Sequence, residues 1–256
     1  MAEDSAAADD SSGPDDRLRE LHELSMPDAR MRHLAVRDGL AIRSLEQRDR
    51  HESIAELQLN ERVPDEITVH YDTARNVYLY AWHVYRFHVV AEQQVLASLE
   101  MAFRLALHRR GLVDERGAAV AQPGLPSTGN RRSRPLGLSR LMAMAVSAGL
   151  ITNEGITRRE QWAHRLAEQR QSIEHIKFME RNQIDQMVLP DTPAVPNEEE
   201  REFDWLTQFV ESLPELRNEY AHGSQMLHAN VLRTFQIVCD LINQLWSESP
   251  ADPGGS

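Results

Sequence analysis

The residues with the clearest chemical potential lie together between Pro214 and Gly223, in the stretch Pro-Glu-Leu-Arg-Asn-Glu-Tyr-Ala-His-Gly. Arg217 is a fixed cation whose planar guanidinium can bind two phosphate oxygens. His222 follows five positions later and titrates near neutral pH. Asn218 adds an amide directly after the arginine. These side-chain types together are what a site that binds and cleaves a phosphodiester requires.

The arginine–histidine spacing alone is weak evidence, because the 256 residues include 28 Lys+Arg and 11 His. Arg159 and His164 have the same spacing on a charged helical stretch. The motif differs from such pairs in having Asn218 beside the arginine, small residues on both sides of His222, and an amphipathic helix after it. The alternative interpretation is an arginine–glutamate ion pair beside a histidine that caps helix carbonyls.

Apolar residues recur at helical spacing through most of the chain, and no period-2 alternation is long enough for a sheet. The sequence therefore predicts an all-α helical bundle, built on long antiparallel helices with a short motif helix. One central helix of about 40 residues is predicted from Asp65 to Arg110, since a seam of small residues runs along it and lets another helix approach closely. The seam consists of Val77, Ala81, Val84, His88, Ala91, Val95, Ser98, Ala102 and Leu105.

The second half of the chain shows helical patterns separated by glycine and proline. Helices are predicted at about 138–148, 157–187 and 229–246. A short helix is predicted at 203–210, and Ser212 with Glu215 fits a capping box that begins a separate motif helix. Gly223 suits the left-handed position after the end of that helix.

Composition divides the chain into four parts. Residues 1–16 carry six acids and no base, half of the net charge of −12, and are predicted to be a disordered acidic tail. Residues 17–62 are predicted to be an N-terminal helical arm that packs on the main bundle or on a partner. Residues 63–247 form the main helical domain, and 248–256 a second disordered tail.

Positive charge is concentrated between residues 109 and 140, where seven arginines face two acids. Attraction to phosphates depends on the local potential rather than on the charge of the whole chain, so this segment is compatible with an RNA partner. A solvated arginine-rich loop is the alternative.

Other classes of protein are disfavoured. The single cysteine, Cys239, excludes a disulfide framework and a cysteine metal site. No run of about 18 apolar residues is present, and the first residues lack the pattern of a secretion signal. We therefore expect a cytoplasmic protein without a membrane partner.

The segment from Leu216 to Gly223, with the amphipathic helix that ends at Trp246, resembles the signature of HEPN domains. These are helical modules that carry an Arg-x4–6-His motif, often with a polar residue after the arginine. The stretch from Ala81 to Arg104 is similar to their long first helix. The resemblance spans residues 66–247, although only the motif is specific. Ser224 stands where one branch of the family has a tyrosine that accepts nucleotidyl groups, so silencing of that kind is not expected here.

This resemblance implies a metal-independent RNA endonuclease that needs no cofactor, acts as a homodimer and belongs among toxins or defence effectors, with an antitoxin or regulatory protein as a further partner. By motif match, Arg217 binds the scissile phosphate, and Asn218 orients the arginine or bonds the phosphate. His222 is the general base for the ribose 2′-OH or the general acid for the leaving 5′-oxygen, so the product carries a 2′,3′-cyclic phosphate. The alternative is a non-catalytic HEPN-like module that binds RNA, nucleotide or a protein partner.

Helix geometry bears on how the motif could act. Five residues of an ideal helix rotate by about 500°, which leaves Arg217 and His222 about 140° apart. Either the helix ends before His222, or a second chain completes the site. Glu92 and Glu100 on the central helix could face the motif. His88 falls on the small-residue seam and is interpreted as a hydrogen-bonded core or interface residue rather than a metal ligand.

Overall fold

The computed structural model describes residues 17–38, 41–120, 134–188, 193–221 and 231–247. The tails predicted to be disordered, 1–16 and 248–256, lie outside the described residues. The described chain is mostly helical, as predicted, with three short 3-10 helices (Leu21–Glu23, Ala29–His33 and Asn153–Gly155) and one two-stranded sheet, β1 (Ala35–Asp38) and β2 (Ala41–Ser44). Its α-helices are α1 (Gln47–Ala55), α2 (Asp65–Tyr80), α3 (Phe87–Arg109), α4 (Leu138–Ser147), α5 (Arg159–Asn182), α6 (Glu198–Arg201), α7 (Trp205–Ala221) and α8 (Val231–Leu245).

Helix α3 is the centre of the bundle, and α2, α4, α7 and α8 all pack against it. Its buried face includes Leu96, Leu99 and Phe103, each fully buried. The apolar stripe predicted for the last helix is also buried: Phe235 on α8 contacts the ring of Tyr78 on α2 at a centroid distance of 5.6 Å. Burial of such side chains stabilises the fold by about 1.5–3 kcal/mol each relative to exposure.

The prediction of one helix from Asp65 to Arg110 is wrong, because residues 81–86 form a turn that separates α2 from α3. The two helices lie antiparallel, with the ring of Tyr78 5.8 Å from that of His88. Asp28 holds the turn: its carboxylate accepts the backbone N–H of Tyr85 at 3.0 Å, and its own N–H donates to the Trp82 carbonyl at 2.9 Å. The break therefore comes from a residue distant in sequence.

The N-terminal arm, predicted to be helical over residues 17–62, is not wholly helical, because it contains β1 and β2. Strands β1 and β2 pair antiparallel, with Asp38 opposite Ala41. Because the strands are short and the side chains of β2 are exposed, the hairpin shows no alternation of apolar and polar residues that could have predicted it. Helix α1 joins the core through Ile54, and its Arg50 donates to His88 Nε2 at 2.9 Å. His88 is thus a hydrogen-bonded core residue, as predicted.

The predicted break before the motif is also wrong. Helix α7 is continuous over 17 residues with Pro214 inside it, so Ser212 does not begin a separate helix and the motif helix is not short. The reason is packing: Leu206, Phe209 and Leu213 are buried before the proline, and the partly buried Leu216 packs against the same core after it. Continuous burial outweighs the roughly 3 kcal/mol by which an internal proline disfavours a helix.

The small-residue seam is buried within its own chain between His88 and Ala102. This part of the seam therefore offers no surface to a second copy of the chain and does not support the predicted homodimer. Helix α5, predicted at about 157–187, buries only part of its apolar side chains: Trp162 lies in the core of the bundle, whereas Ile173 and Ile176 are exposed. Within the described residues, no helix is long and apolar enough to cross a membrane.

Candidate functional site

Arg217 lies near the end of α7 and reaches towards α3. Its Nη2 atom is 2.8 Å from Oε2 of Glu100, and 42% of the arginine side chain is exposed against 8% of the glutamate side chain. Arg104, one turn further along α3, bonds the other carboxylate oxygen of Glu100. The buried carboxylate thus holds two guanidiniums side by side while both keep an open surface.

These residues form the floor of a cleft that we call the arginine cleft. It has a volume of about 610 Å³ and is lined by four arginines and a single carboxylate, that of Glu100, among the described residues. Neither Arg134 nor Arg140 makes an ion pair with a described side chain, and both are exposed. The arginines are Arg104, Arg134, Arg140 and Arg217. The cleft therefore carries a net positive charge and suits an anion.

The N-terminal turn of α4 forms one wall of the arginine cleft. The helix begins after Gly137, which has no side chain to cap it, and residues Leu136 to Arg140 line the cleft. Backbone N–H groups at a helix start carry partial positive charge and are orphan donors. This wall adds to the field of the four guanidiniums and to the preference for a negatively charged ligand.

A second cleft adjoins the first and shares Glu100, Arg104 and Arg217 with it. Its volume is about 490 Å³, and Glu66 and Glu115 add negative charge to its walls. A chain of phosphates would meet repulsion there that is absent from the arginine cleft. Electrostatics thus directs a polyanion to one side of Arg217.

The three predicted site residues are described to different extents. Arg217 is half-buried and lines a cleft, where a ligand can reach its guanidinium. The side chain of Asn218 and the whole of His222 lie outside the described residues, and so does Gly223. The described part of α7 extends to Ala221, which leaves both alternatives for the placement of His222 open.

Some of the other cleft residues were predicted from the sequence, and one was not. Glu100, expected to face the motif, contacts Arg217, whereas Glu92 lines a different cleft and bonds the Thr234 hydroxyl. The arginine-rich segment contributes Arg134 and Arg140. Arg104 was missed, although its position four residues after Glu100 on a helix indicated that the two side chains meet.

The arrangement can bind a phosphate group at fixed cations, and it can stabilise charge that develops on phosphate oxygens. Within the described residues, no three His, Cys, Asp or Glu side chains come together as a metal site. Comparison with known proteins identifies no relative: no family model, no curated protein and no solved structure matches the chain.

Proposed function

We propose that this protein is a metal-independent RNA endonuclease of the HEPN type that cleaves in the arginine cleft. The observation that carries the proposal is the convergence of Arg217, from the motif, with Arg134 and Arg140, from the basic segment, on one cleft. Two sequence features far apart in the chain, each suggestive of phosphate binding, meet at the same place.

In the proposed reaction the substrate supplies its own nucleophile. The ribose 2′-oxygen attacks the adjacent phosphorus, the bond to the 5′-oxygen breaks, and a 2′,3′-cyclic phosphate forms. Arg217 binds the non-bridging oxygens and offsets the charge that they gain in the transition state. His222 takes the proton of the 2′-OH or gives one to the leaving 5′-oxygen, a contribution of typically about 10²- to 10⁴-fold.

Glu100 has a defined part in this scheme as a positioning residue. A lone arginine on a helix surface samples many rotamers, whereas a buried carboxylate at 2.8 Å fixes where the guanidinium points. Because the carboxylate occupies only one edge of the arginine, other N–H groups remain for a phosphate. The homodimer stays part of the proposal, since two copies of His222 could supply the base and the acid.

The test is RNA cleavage in EDTA by purified protein. We expect Arg217→Ala and His222→Ala to abolish it. Arg159→Ala and His164→Ala are matched controls, because this pair has the same residue types and spacing on α5, where His164 is exposed and Arg159 is half-buried. Equal cleavage by wild type and both motif variants would exclude the proposal. Toxicity on expression that His222→Ala relieves would support a role as toxin or defence effector.

A non-catalytic module that binds RNA or a protein partner is the second candidate, and the Glu100–Arg217 ion pair favours it. A phosphate must compete with a carboxylate already in contact with Arg217, which weakens the cation. This candidate predicts RNA binding without turnover. Retention of binding in His222→Ala, together with the absence of cleavage by wild type, would support it over the nuclease.

A further inference from the structure

A third cleft lies on the other side of α7, and we call it the aromatic cleft. It has a volume of about 640 Å³ and is bounded by α5, α7 and α8. Phe203 and Trp205 form part of its wall, with Trp162 behind them at a ring distance of 5.0 Å from Trp205. The volume lies within the range of small-molecule sites, which are mostly apolar with a few polar groups.

Two arginines face this cleft without a carboxylate partner. Arg165 on α5 and Arg233 on α8 both line it, and neither forms an ion pair with any described acid. The Arg233 guanidinium lies 5.5 Å from the ring centroid of Trp162 and 6.0 Å from that of Trp205. Burial lowers the pKa of Arg233, and the nearby charge of Arg165 lowers it further. Two like charges are thus held close together in a place where an anion would relieve their repulsion.

The residues of the same cleft also carry uncharged polar groups. Trp205 is 4% exposed, and its indole N–H has no hydrogen-bond partner among the described residues. An unpaired buried donor destabilises the fold, so a ligand acceptor that reaches this N–H gains from pairing with it. The carboxamides of Gln169 and Gln208 also line the cleft. A carboxamide both donates and accepts, as the edge of a nucleobase does.

We propose that the aromatic cleft binds a ribonucleotide, with its phosphate on Arg165 and Arg233 and its base between the aromatic wall and the two carboxamides. Guanidinium pairs recognise phosphate, aromatic rings stack on bases, and carboxamides hydrogen-bond base edges. The single acid in the described lining, Glu92, is 1% exposed and bonded to Thr234, and two cations outweigh it.

The aromatic cleft is distinct from the arginine cleft, since α7 separates them. Ser212 and Leu216 face the aromatic cleft, while Pro214 and Arg217 line the arginine cleft. At 100° per residue, these two pairs point to opposite sides of the helix. The nucleotide site therefore does not depend on the proposed nuclease activity and can be tested without RNA cleavage.

The experiment is isothermal titration of the full chain with each of the four ribonucleoside 5′-monophosphates, the matching nucleosides and inorganic phosphate. We expect at least one monophosphate to bind at least tenfold more tightly than its nucleoside and than phosphate alone. Arg165→Ala and Arg233→Ala should each weaken that binding tenfold or more. Arg181→Ala, an exposed arginine further along α5, is the matched control and should bind as wild type does.

Because Arg233 packs on two tryptophans, its variant could lose stability, and the exposed Arg165 keeps the test valid in that case. Absence of binding by all four monophosphates would overturn the proposal. Phosphate that binds as tightly as the nucleotides would show a simple anion site and would also overturn it. Nucleotide binding that Arg217→Ala abolishes and Arg165→Ala preserves would place the ligand in the arginine cleft and contradict the assignment.

Discussion

The arginines on the two sides of α7 differ in whether a carboxylate contacts them. On one side, Glu100 holds Arg217 and Arg104 in place, and on the other, Arg165 and Arg233 have no carboxylate partner among the described residues. A guanidinium held by a buried acid has a fixed orientation, but its charge is partly neutralised. This arrangement suits a chemical step whose rate depends on how the guanidinium is oriented. A pair of unneutralised guanidiniums beside aromatic rings keeps its full attraction for an anion, which suits tight binding. The difference separates a candidate reaction site from a candidate ligand site.

The largest expected effect comes from Arg217→Lys, which keeps the charge of the arginine cleft but removes the planar fork. We expect cleavage to fall by about a hundredfold or more, because one donor aimed at developing charge is worth about 10²–10³. RNA affinity should change only a few-fold. Single-turnover rates measured beside RNA binding separate the two effects, and Arg181→Lys is the control. An unchanged rate would show that the fork geometry has no role.

The next effect is that of Glu100→Gln, which leaves the shape of the side chain but removes the charge that holds the arginines. RNA binding should tighten severalfold, because the net positive charge of the cleft rises. Cleavage should fall about tenfold, because Arg217 loses its orientation. Glu174→Gln, an exposed acid on α5, is the control. If binding and cleavage fall together, Glu100 supports only the fold and does not position Arg217.

A smaller effect is expected from neutralising the cleft wall with Arg134→Gln and Arg140→Gln together. Each phosphate contact to a single strand contributes about 0.7 to the slope of log affinity against log salt. The double variant should therefore reduce that slope by about 1.4, while nucleotide binding in the aromatic cleft stays unchanged. RNA affinities determined by fluorescence anisotropy over a series of salt concentrations give this slope. An unaltered slope would place the RNA elsewhere.

The smallest effect on either cleft is expected from Asp28→Asn, which changes an acid–arginine pair that lines neither of them. Burial raises the pKa of Asp28, but hydrogen bonds from Arg30 and from the Tyr85 backbone outweigh it and lower the pKa to about 2. A carboxylate whose pKa is lowered in the folded state stabilises the fold at pH values above its ordinary pKa of 3.8, here by about 2 kcal/mol. This stabilisation is lost as the pH falls towards 2.

Thermal unfolding at several pH values tests this contribution. The midpoint of Asp28→Asn should lie below that of wild type at pH 7, and the two should converge towards pH 2. Cleavage and nucleotide binding, measured below the unfolding temperature, should be the same for both proteins. A change in either activity would mean that general loss of stability, rather than loss of a local contact, explains the cleft variants.

The sequence predicted the parts of this fold that hydrophobic periodicity controls. The stripe of α8 and the buried residues of α3 follow helical spacing, and the structure buries them. Helix breaks that depend on contacts with residues distant in sequence could not be predicted from hydrophobic periodicity. The turn between α2 and α3 contains no glycine or proline, and it depends on Asp28, more than 50 residues earlier. The hairpin had a local signal, a glycine directly after Asp38, which the helical pattern of its neighbours obscured.

The candidate site was predictable in its chemistry but not in its geometry. Arg217 could be named from the motif, and Glu100 could be placed on a facing helix. That Arg134 and Arg140 would reach the same cleft depends on how α4 packs against α7, which no local pattern encodes. No sequence pattern predicted the aromatic cleft, because its residues come together only in the folded chain. Three separate helices contribute Trp162, Trp205 and Arg233.

The most direct test of the central claim uses RNA labelled at one end and the same RNA with a single 2′-deoxy nucleotide at the cleaved position, both incubated with wild-type protein in EDTA. The account predicts cleavage of the first at that position, with a 2′,3′-cyclic phosphate end identified by mass spectrometry, and no cleavage of the second there. Equal cleavage of both RNAs would contradict it, because the attacking oxygen would then not belong to the substrate.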